Sequence, residues 1–316
     1  MRALRFDGSQ ARVEDVALPV ACDETVIVRV SLAGVCNTDL EIARGYMAFQ
    51  GTLGHEFVGT VEEGPPEWRG QRVVGEINFA CHSCPICAQG LQRHCPSRSV
   101  MGILEADGAF AEFVRVPVAN LHPVPDSVPD ELAVFTEPLA AAFEILEQLH
   151  VEPGRDCVVL GDGKLGLLCA QVLHQAGARV LAVGHHREKL AILEKRDIET
   201  VLADDWRGEL ASMVVEATGT AQGFERAVAA TRPRGTLVLK STVAEKPTIN
   251  LTPLVIDEIQ VVGSRCGPFP PALRALELGT IEVRSLISDR IPLERADEAL
   301  RLATGPGALK VLIETG

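Results

Sequence analysis

The chain has 316 residues and a mass of 33.9 kDa, so we expect two domains, each large enough to bury a core of its own. Its 30 Lys and Arg residues face 43 Asp and Glu residues, and the net charge of −13 disfavours binding to nucleic acid or to an anionic membrane. No run of about 20 apolar residues occurs, and the N-terminal residues lack the apolar core of a signal peptide. We therefore predict a cytoplasmic protein that acts on a small molecule.

Residues 1–140 predict a mostly β domain. Runs rich in β-branched and aromatic residues, such as 25–30 and 57–61, are separated by Gly and Pro turns. Short strands of this kind are typical of a barrel or a sandwich. Residues 268–316 do not continue the pattern of the segment before them, and we expect them to fold back on this first domain.

Four potential metal ligands are scattered through the first domain: Cys36, His55, Glu56 and Glu137. Each of them alone has an ordinary structural explanation, because a single Cys is usually packed in a core and a single His is usually hydrogen-bonded. Together they offer a sulfur, an imidazole nitrogen and a carboxylate, which can bind a catalytic zinc whose fourth position stays open. The sequence therefore predicts a catalytic zinc site.

A compact cysteine cluster lies between these scattered residues, in the pattern C-x2-C-x2-C-x7-C formed by Cys81, Cys84, Cys87 and Cys95. The segment has few core residues, so a loop of this length needs another source of order. Four thiolates match a closed tetrahedral zinc site, which can contribute on the order of 10 kcal/mol to local folding. We predict a structural zinc here; incidental burial or redox activity of the cysteines is the alternative.

From Cys157 onwards the pattern changes to alternating strands and helices, which predicts a doubly wound parallel sheet within residues 141–267. The predicted strands are 157–161, 179–184, 213–217, 236–240 and 260–264, with a weaker one at 200–202. The chain between Leu193 and Val214 is short for a full helix–strand–helix passage, which predicts a truncated helix.

The first of these strands leads into a glycine-rich turn, Gly-Asp-Gly-Lys-Leu-Gly at 161–166, which opens a predicted helix. In such a turn the first Gly allows a tight bend, the second lets the backbone approach a pyrophosphate, and the third lets the helix pack on the strand. We predict a dinucleotide-binding loop. Its predicted cofactor-binding residues are Gly161, Gly163, Lys164, Leu165 and Gly166.

The end of the second strand bears on the choice between NAD and NADP. NAD sites usually place an Asp or Glu there to bind the ribose hydroxyls, but this chain has Gly184, followed by His185, His186 and Arg187. Because position 184 carries no carboxylate to repel it, a 2′-phosphate could lie beside these basic side chains. We therefore favour NADP. NAD, and a strand end that binds nothing, are the alternatives.

The order of these motifs is the most specific feature of the sequence. The chain carries Gly34-x-Cys36-x-Thr38-Asp39, Gly54-His55-Glu56, the four-cysteine lobe, Glu137-Pro138-Leu139 and the glycine-rich loop. In this order, and over nearly the whole chain, they resemble the zinc-dependent medium-chain dehydrogenase/reductase superfamily, in particular its polyol, glucose and threonine dehydrogenases. The resemblance implies an α/β architecture: a GroES-like, mostly β catalytic domain and a Rossmann domain, with the active site in the cleft between them.

The same resemblance implies roles for residues of the first domain. Cys36 and His55 would bind zinc, Asp39 would orient His55, and Thr38 would hydrogen-bond the substrate oxygen and accept its proton. Glu56 and Glu137 are both candidates for the third ligand, either alternating or with one binding through water. Many relatives carry a His for proton relay where this chain has Glu41, so the proton would leave through Glu41 or through ribose and water.

Two segments of the second domain also resemble parts of the family's cofactor site. Ala217, Thr218 and Gly219 match a segment beside the nicotinamide, while Ser264 and Arg265 match one near the cofactor and the cleft. Arg265 could hold an anionic or polar substrate group, or form a surface salt bridge.

The implied function is reversible, zinc-dependent hydride transfer between an alcohol and NADP or NAD. Polyols, sugars, amino alcohols and simple secondary alcohols all stay open as substrates, and the family suggests a homodimer or homotetramer. The retained ligand set disfavours the zinc-free reductases of the same fold. The alternative is a non-catalytic dinucleotide-binding redox sensor or scaffold with structural zinc only, which would hold one zinc per chain instead of two.

Overall fold

The computed structural model describes residues 1–22, 24–241 and 249–316. Its strands are β1 (Arg2–Phe6), β2 (Ala11–Asp15), β3 (Thr25–Gly34), β4 (Gly51–Thr52), β5 (Phe57–Glu63), β6 (Arg72–Gly75), β7 (Asn78–Phe79), β8 (Ser99–Met101), β9 (Glu105–Ala106), β10 (Phe113–Pro117), β11 (Leu121–Pro123), β12 (Asp156–Leu160), β13 (Arg179–Gly184), β14 (Glu199–Leu202), β15 (Ala211–Glu216), β16 (Thr231–Leu239), β17 (Gln260–Gly263), β18 (Ile287–Pro292) and β19 (Lys310–Glu314).

Its α-helices are α1 (Asn37–Ala43), α2 (Pro85–Ala88), α3 (Asp130–Ala133), α4 (Thr136–Gln148), α5 (Lys164–Gln175), α6 (Arg187–Glu194), α7 (Ala221–Ala230), α8 (Thr252–Ile256), α9 (Phe269–Leu278) and α10 (Ala296–Leu302). Within the described part of the chain, every helix is too short or too polar to cross a bilayer.

The chain divides into two compact units. The first comprises Met1–Glu137, Leu276–Leu278 and Leu286–Gly316, and the second comprises Pro138–Ala275 and Gly279–Ser285. Residues 276–278 and those from 286 onwards lie in the first unit. Residues 138–140, 268–275 and 279–285, which the sequence prediction assigned to the first domain, lie in the second.

The first unit is built around β3, a long and mostly buried strand. Strands run in the order β11-β6-β5-β3-β19-β18, with β10 also paired to β3; β2-β1-β4 and β7-β8-β9 form smaller sheets. β19 runs antiparallel to β3 and pairs Leu312 with Gly34. Because Gly34 ends β3, this register brings the start of β19 close to the loop that carries Cys36.

The second unit contains a parallel sheet in the order β14-β13-β12-β15-β16-β17. This is the strand order of a doubly wound dinucleotide-binding fold, in which the order reverses beside the first strand. The predicted doubly wound parallel sheet is therefore confirmed. All the strands predicted from sequence are present, although β16 begins earlier than predicted, at Thr231.

The core of this sheet explains why its strands read as continuous apolar runs, since both faces are covered. Members of that core include Val158, Leu160, Val183, Val214 and Leu237. Between β14 and β15, residues 203–210 form turns and extended chain without a helix, in line with the predicted shortening of this passage.

Candidate zinc and nucleotide sites

The four cysteines of the predicted structural site converge in the first unit. Cys84 lies just before α2, where its Sγ accepts the Cys87 N–H at 3.4 Å. Neighbouring sulfurs lie 3.5 Å apart for Cys84 and Cys87, 3.9 Å for Cys84 and Cys95, and 3.5 Å for Cys81 and Cys95. A tetrahedron with Zn–S bonds of about 2.3 Å requires sulfurs about 3.8 Å apart. The lobe thus has the donor set and the spacing that zinc requires.

The thiols of this lobe have unequal proton affinities in the metal-free chain. Hydrogen bonds from Ser83 lower the pKa of Cys81 to about 6, whereas burial and the neighbouring thiols raise the pKa of Cys87 to about 12. At neutral pH the Cys87 thiol therefore keeps its proton, and zinc binding would release it. All nine cysteines of the chain are free thiols, so no disulfide competes for these sulfurs.

Three of the scattered ligands also come together. Cys36 lies two residues after β3 and begins α1, while His55 and Glu56 directly precede β5, the neighbour of β3 in the sheet. One ligand atom from each lies within 4.8 Å of the other two. His55 and Glu56 are buried and Cys36 is half-buried, so Cys36 is the most solvent-accessible of the three residues. One sulfur, one nitrogen and one carboxylate form the donor set predicted for a catalytic zinc.

Asp39 contacts two of these residues. Its Oδ2 accepts the Cys36 N–H at 2.8 Å, and its Oδ1 lies 3.3 Å from Nδ1 of His55. The second contact is an ion-pair distance and not a regular hydrogen bond, since both atoms are buried without a hydrogen-bond partner among the described residues. The carboxylate still favours the His55 tautomer with its proton on Nδ1, which leaves Nε2 free to bind a metal.

The charges around His55 favour a cation at this place. Burial disfavours the charged imidazolium, but the negative charges of Asp39 and Cys36 outweigh it and raise the pKa of His55 well above its ordinary value. A metal ion binds the neutral imidazole and would replace this proton. The surroundings that stabilise an extra proton in the metal-free chain would therefore also stabilise Zn²⁺.

Lys310, at the start of β19, is a residue of this site that the sequence predictions missed. Its side chain is fully buried, and its Nζ donates to Oε2 of Glu56 and, at 3.3 Å, to the carbonyl of Val35. The Phe135 ring lies 5.6 Å from the same Nζ. A lysine inside the apolar run 309–313 was the available signal, because a buried cation requires an anionic partner.

Glu56 thus has two different oxygens. Oε2 is paired with Lys310, whereas Oε1 is buried and has no hydrogen-bond partner among the described residues. The pair also depends on Gly34, where a Cβ would lie 2.6 Å from Oε2. A buried carboxylate oxygen beside a thiol and an imidazole is the kind of group that a metal ion satisfies.

The remaining residues predicted for this site are less closely grouped. Thr38 places its Oγ1 3.7 Å from Sγ of Cys36, beside the cluster. Glu41 forms an ion pair with Arg44 at 2.7 Å. Glu137, in the first turn of α4, is not one of the residues whose ligand atoms lie within 4.8 Å of one another. The structure therefore brings Glu56 into the cluster and leaves Glu137 outside it.

The glycine-rich loop of the second unit is packed on one side and open on the other. Gly161 has a φ of +117°, and a Cβ there would lie 2.6 Å from the carbonyl oxygen of Ala217. A Cβ at Gly166 would collide with the carbonyl of Gly161, whereas Gly163 is exposed and has open space around its Cβ position. Lys164 begins α5 directly after it. The open backbone at Gly163 and the helix N-terminus fit a bound pyrophosphate.

The end of β13 is occupied by a side chain from this loop. Gly184 ends the strand, and Oδ2 of Asp162 accepts the N–H groups of His185 and His186, both at 2.6 Å. Nδ1 of His186 lies 3.0 Å from the same oxygen. The side chains of His185 and Arg187 are exposed. Asp162 was part of the predicted loop, but nothing in the sequence indicated that its carboxylate lies at the end of the second strand.

The other predicted cofactor residues follow β15 and β17, at the carboxyl ends of the parallel strands where open α/β sheets bind ligands. Oε1 of Glu216 accepts the N–H and the hydroxyl of Thr218, both at 2.6 Å, and the N–H of Gly219 at 3.2 Å. Lys240, which is buried and was not predicted, donates to Oγ of Ser264 at 3.1 Å and to the carbonyl of Arg265 at 3.2 Å.

Two family models match the chain. The model described as "Alcohol dehydrogenase GroES-like domain" matches residues 22–126, and that described as "Zinc-binding dehydrogenase" matches residues 165–278. Together they match more than half of the chain. The chain therefore belongs to the zinc-type medium-chain alcohol dehydrogenase family, and the GroES-like and Rossmann parts of the predicted fold are confirmed.

Individual relatives agree with this assignment over nearly their whole length. D-arabinitol dehydrogenase 1 of Uromyces fabae is 29% identical, covering 94% of this chain and 92% of that protein. Sorbitol dehydrogenase of Halalkalibacterium halodurans is 28% identical, covering 95% of this chain and 94% of that protein. A zinc-binding dehydrogenase from Sinorhizobium meliloti 1021, solved with NADP bound, is 27% identical with a TM-score of 0.91, covering 99% of each chain.

The class of protein follows from these matches. The chain is an NAD(P)-dependent, zinc-type alcohol dehydrogenase, an oxidoreductase that acts on small-molecule alcohols. The predicted enzyme class and the predicted cofactors, zinc with NAD or NADP, are confirmed. The non-catalytic sensor or scaffold that the sequence analysis kept as an alternative finds no support among them.

Proposed function

We propose that the chain reversibly oxidises a secondary hydroxyl group of a polyol or sugar alcohol, at a zinc ion held by Cys36, His55 and Glu56. The observation that carries this proposal is the cluster of these three side chains, with one buried oxygen of Glu56 lacking a partner among the described residues. The relatives named for D-arabinitol and sorbitol support the substrate class.

Glu56 is the third ligand in this proposal, in preference to Glu137, because its carboxylate belongs to the cluster. When bound, zinc supplies a Lewis acid that stabilises negative charge on the substrate oxygen. The thiolate of Cys36 and the carboxylate of Glu56 contribute two negative charges, and Lys310 offsets one of them. The site is therefore more electropositive than the same three ligands would be without Lys310. A more positive site stabilises the negative charge that forms on the substrate oxygen when the hydroxyl loses its proton.

The protein residues around the cluster have separate tasks in the proposal. Asp39 orients His55 and the Cys36 backbone. Thr38, beside Cys36, would hydrogen-bond the substrate hydroxyl and accept its proton at Oγ1 while releasing its own hydroxyl proton. Glu41 passes that proton to solvent, and its half-buried position on α1, paired with Arg44, suits an exchange of protons with water.

The second zinc and the nucleotide are assigned in the same way. Cys81, Cys84, Cys87 and Cys95 hold a structural zinc, supported by their sulfur spacing. The proposed nucleotide-binding residues are Gly161, Gly163, Lys164, Leu165, Gly166, Gly184, His185, His186, Arg187, Ala217, Thr218, Gly219, Ser264 and Arg265. Their support is the open glycine loop and their position at the carboxyl ends of the strands.

The proposal is tested by an alcohol screen on the purified protein. Arabinitol, sorbitol, an amino alcohol and a simple secondary alcohol are each offered with NAD⁺ and with NADP⁺, and reduced nicotinamide is measured before zinc removal, after chelation and after zinc is restored. Polyols should be oxidised fastest, with activity lost on chelation and regained with zinc. Failure to oxidise any polyol in the zinc-restored protein would contradict the proposal.

Assembly as a homodimer or homotetramer and a cytoplasmic location stay predictions. Sedimentation of the zinc-loaded protein checks the first, since a monomer at micromolar concentration would contradict it. Fractionation of cells that express the chain checks the second.

A further inference from the structure

The glycine-rich loop contributes a buried carboxylate to the place where the adenosine ribose is expected. The side chain of Asp162 is only 10% exposed. Its Oδ2 receives all three of its hydrogen bonds, from the backbone of His185 and His186 and from the His186 ring. No described residue donates to its Oδ1, which leaves this oxygen as an acceptor for a hydroxyl group.

Asp162 fills the space that a side chain at position 184 would occupy. A Cβ on Gly184 would lie 2.5 Å from Oδ2 of Asp162. Position 184 ends the second strand, where NAD-binding folds commonly carry the acidic residue that binds the ribose hydroxyls. The missing carboxylate of the second strand is thus supplied by the loop after the first strand, and Gly184 is the residue that makes room for it.

The same carboxylate occupies the donors that a 2′-phosphate would need. The N–H groups of His185 and His186, at the start of α6, already donate to Asp162. Burial alone would raise the pKa of Asp162, but the hydrogen bonds from His186 and His185 outweigh it and lower the pKa, so the group is ionised at neutral pH. A phosphate placed here would meet a fixed negative charge.

The basic side chains nearby act in the opposite direction. Arg187 and His185 could attract a 2′-phosphate, but both side chains are exposed, and exposed charges are screened by water and salt. The Asp162 carboxylate is nearly buried and therefore less screened. A nearly buried charge therefore acts on a phosphate more strongly than exposed, screened cations do, which argues against the NADP preference that the sequence alone suggested.

We propose that Asp162 recognises the adenosine ribose and selects NAD over NADP. The proposal rests on the nucleotide site proposed above and concerns one residue of it. The relative solved with NADP is only 27% identical to this chain, so its cofactor does not decide the choice here.

The test measures nucleotide binding to the zinc-loaded protein by calorimetry, with NAD⁺, NADP⁺, 5′-AMP and 2′,5′-ADP as probes. The wild-type protein should bind NAD⁺ and 5′-AMP at least about tenfold more tightly than NADP⁺ and 2′,5′-ADP. Asp162→Asn keeps the size and one acceptor oxygen but removes the charge. Because a hydrogen bond to a charged group is worth about 1.5–3 kcal/mol, this variant should shift the NAD⁺/NADP⁺ affinity ratio by about 12- to 160-fold towards NADP⁺.

A matched control is Asp156→Asn, at the start of β12, whereas Asp162 lies in the loop that follows the end of β12. Asp156 begins β12, is half exposed and pairs with Arg179, so its loss removes the same charge without touching the loop. This variant should leave the affinity ratio unchanged.

The outcomes are distinguishable. A wild-type protein that binds neither nucleotide overturns the nucleotide site itself, and this inference with it. A wild-type protein that binds both but prefers NADP⁺ or 2′,5′-ADP, or a folded Asp162→Asn variant with an unchanged ratio, overturns the role of Asp162 alone. The wild-type comparison of 5′-AMP with 2′,5′-ADP decides the matter even if the variant does not fold.

Discussion

Lys310 begins β19, whose next three residues are apolar, and its ammonium group is stabilised by the Glu56 carboxylate, the Val35 carbonyl and the Phe135 ring. Removing both charges from water is costly, so the pair contributes less to stability than its short contact suggests. Removing only one partner is worse, because the other charge then stays buried and uncompensated. The pair therefore fixes the position of the Glu56 carboxylate more than it stabilises the fold.

Lys310→Met should lower the free energy of unfolding by about 3–5 kcal/mol, measured by urea denaturation after the zinc proposed at Cys36 has been removed. The double variant Lys310→Met with Glu56→Gln should recover part of that loss, because neither member of the pair then leaves an uncompensated buried charge. Lys195→Met, at an exposed position after α6, is the control and should change stability by less than about 0.5 kcal/mol. If Lys310→Met and the double variant had equal stability, the energetic coupling between Lys310 and Glu56 would be contradicted.

Cys36→Ala tests the proposed catalytic zinc directly. The protein should fall from about two zinc ions per chain to about one and lose turnover, while NAD⁺ binding stays within about twofold, since the glycine-rich loop belongs to the other unit. Metal analysis and calorimetry measure these quantities. Cys22→Ala, at an exposed thiol outside both clusters, is the matched control. Full activity in Cys36→Ala would show that the assignment is wrong.

At the scale of elements, the cysteine lobe is a local structure whose four ligands fall within a short segment of chain. Its regular structure is limited to the short helix α2 and a single 3-10 turn at Gln92–His94, so metal binding has to supply much of its order. Its zinc site could be predicted from spacing alone because ligands close in sequence are close in space. The strands of the parallel sheet were predictable for a similar reason, since burial on both faces leaves continuous apolar runs.

Cys84→Ser should remove one zinc ion per chain and lower the thermal midpoint of the first unit, because three thiolates and a weak hydroxyl ligand hold zinc poorly. Zinc analysis and calorimetric unfolding measure the two effects. Cys169→Ser is a control of equal chemistry at a buried thiol in α5, outside the lobe, and should keep both zinc ions. A Cys84→Ser protein with two zinc ions and a normal midpoint would contradict the structural role.

Long-range pairs mark the limit of prediction from sequence. Lys310 meets Glu56 only because β19 pairs with β3, a register that the sequence did not indicate. Asp162 reaches the end of β13 by a side-chain conformation that no motif encodes. Such contacts depend on the packing of distant elements. For that reason sequence analysis left Glu56 and Glu137 undecided, and at Gly184 it could weigh only the residues at the end of the strand.

At the scale of the whole molecule, the two proposed zinc sites differ in the number of ligands that the protein supplies. The lobe surrounds its ion with four sulfurs, whereas the cluster at Cys36 offers three ligands and a solvent-accessible side. A chelator should therefore remove the zinc at Cys36 first, and activity should be lost with it. The zinc of the cysteine lobe should leave later, together with unfolding of the protein. Parallel time courses of zinc release, activity and circular dichroism check this order. Activity that persists after one zinc is lost would contradict it.

The pairing of β19 with β3 also has a consequence for the protein's biosynthesis. Cys36, His55 and Glu56 leave the ribosome early, but the lysine that neutralises Glu56 lies 254 positions further along the chain. A nascent chain that has reached only residue 309 must keep this carboxylate hydrated or protonated, because burying it alone is too costly. The cluster of Cys36, His55 and Glu56 can therefore reach its final arrangement only when translation is nearly finished. A premature stop codon shortly before residue 310 would yield a chain that has most strands of the first unit but lacks the lysine that holds the Glu56 carboxylate in place.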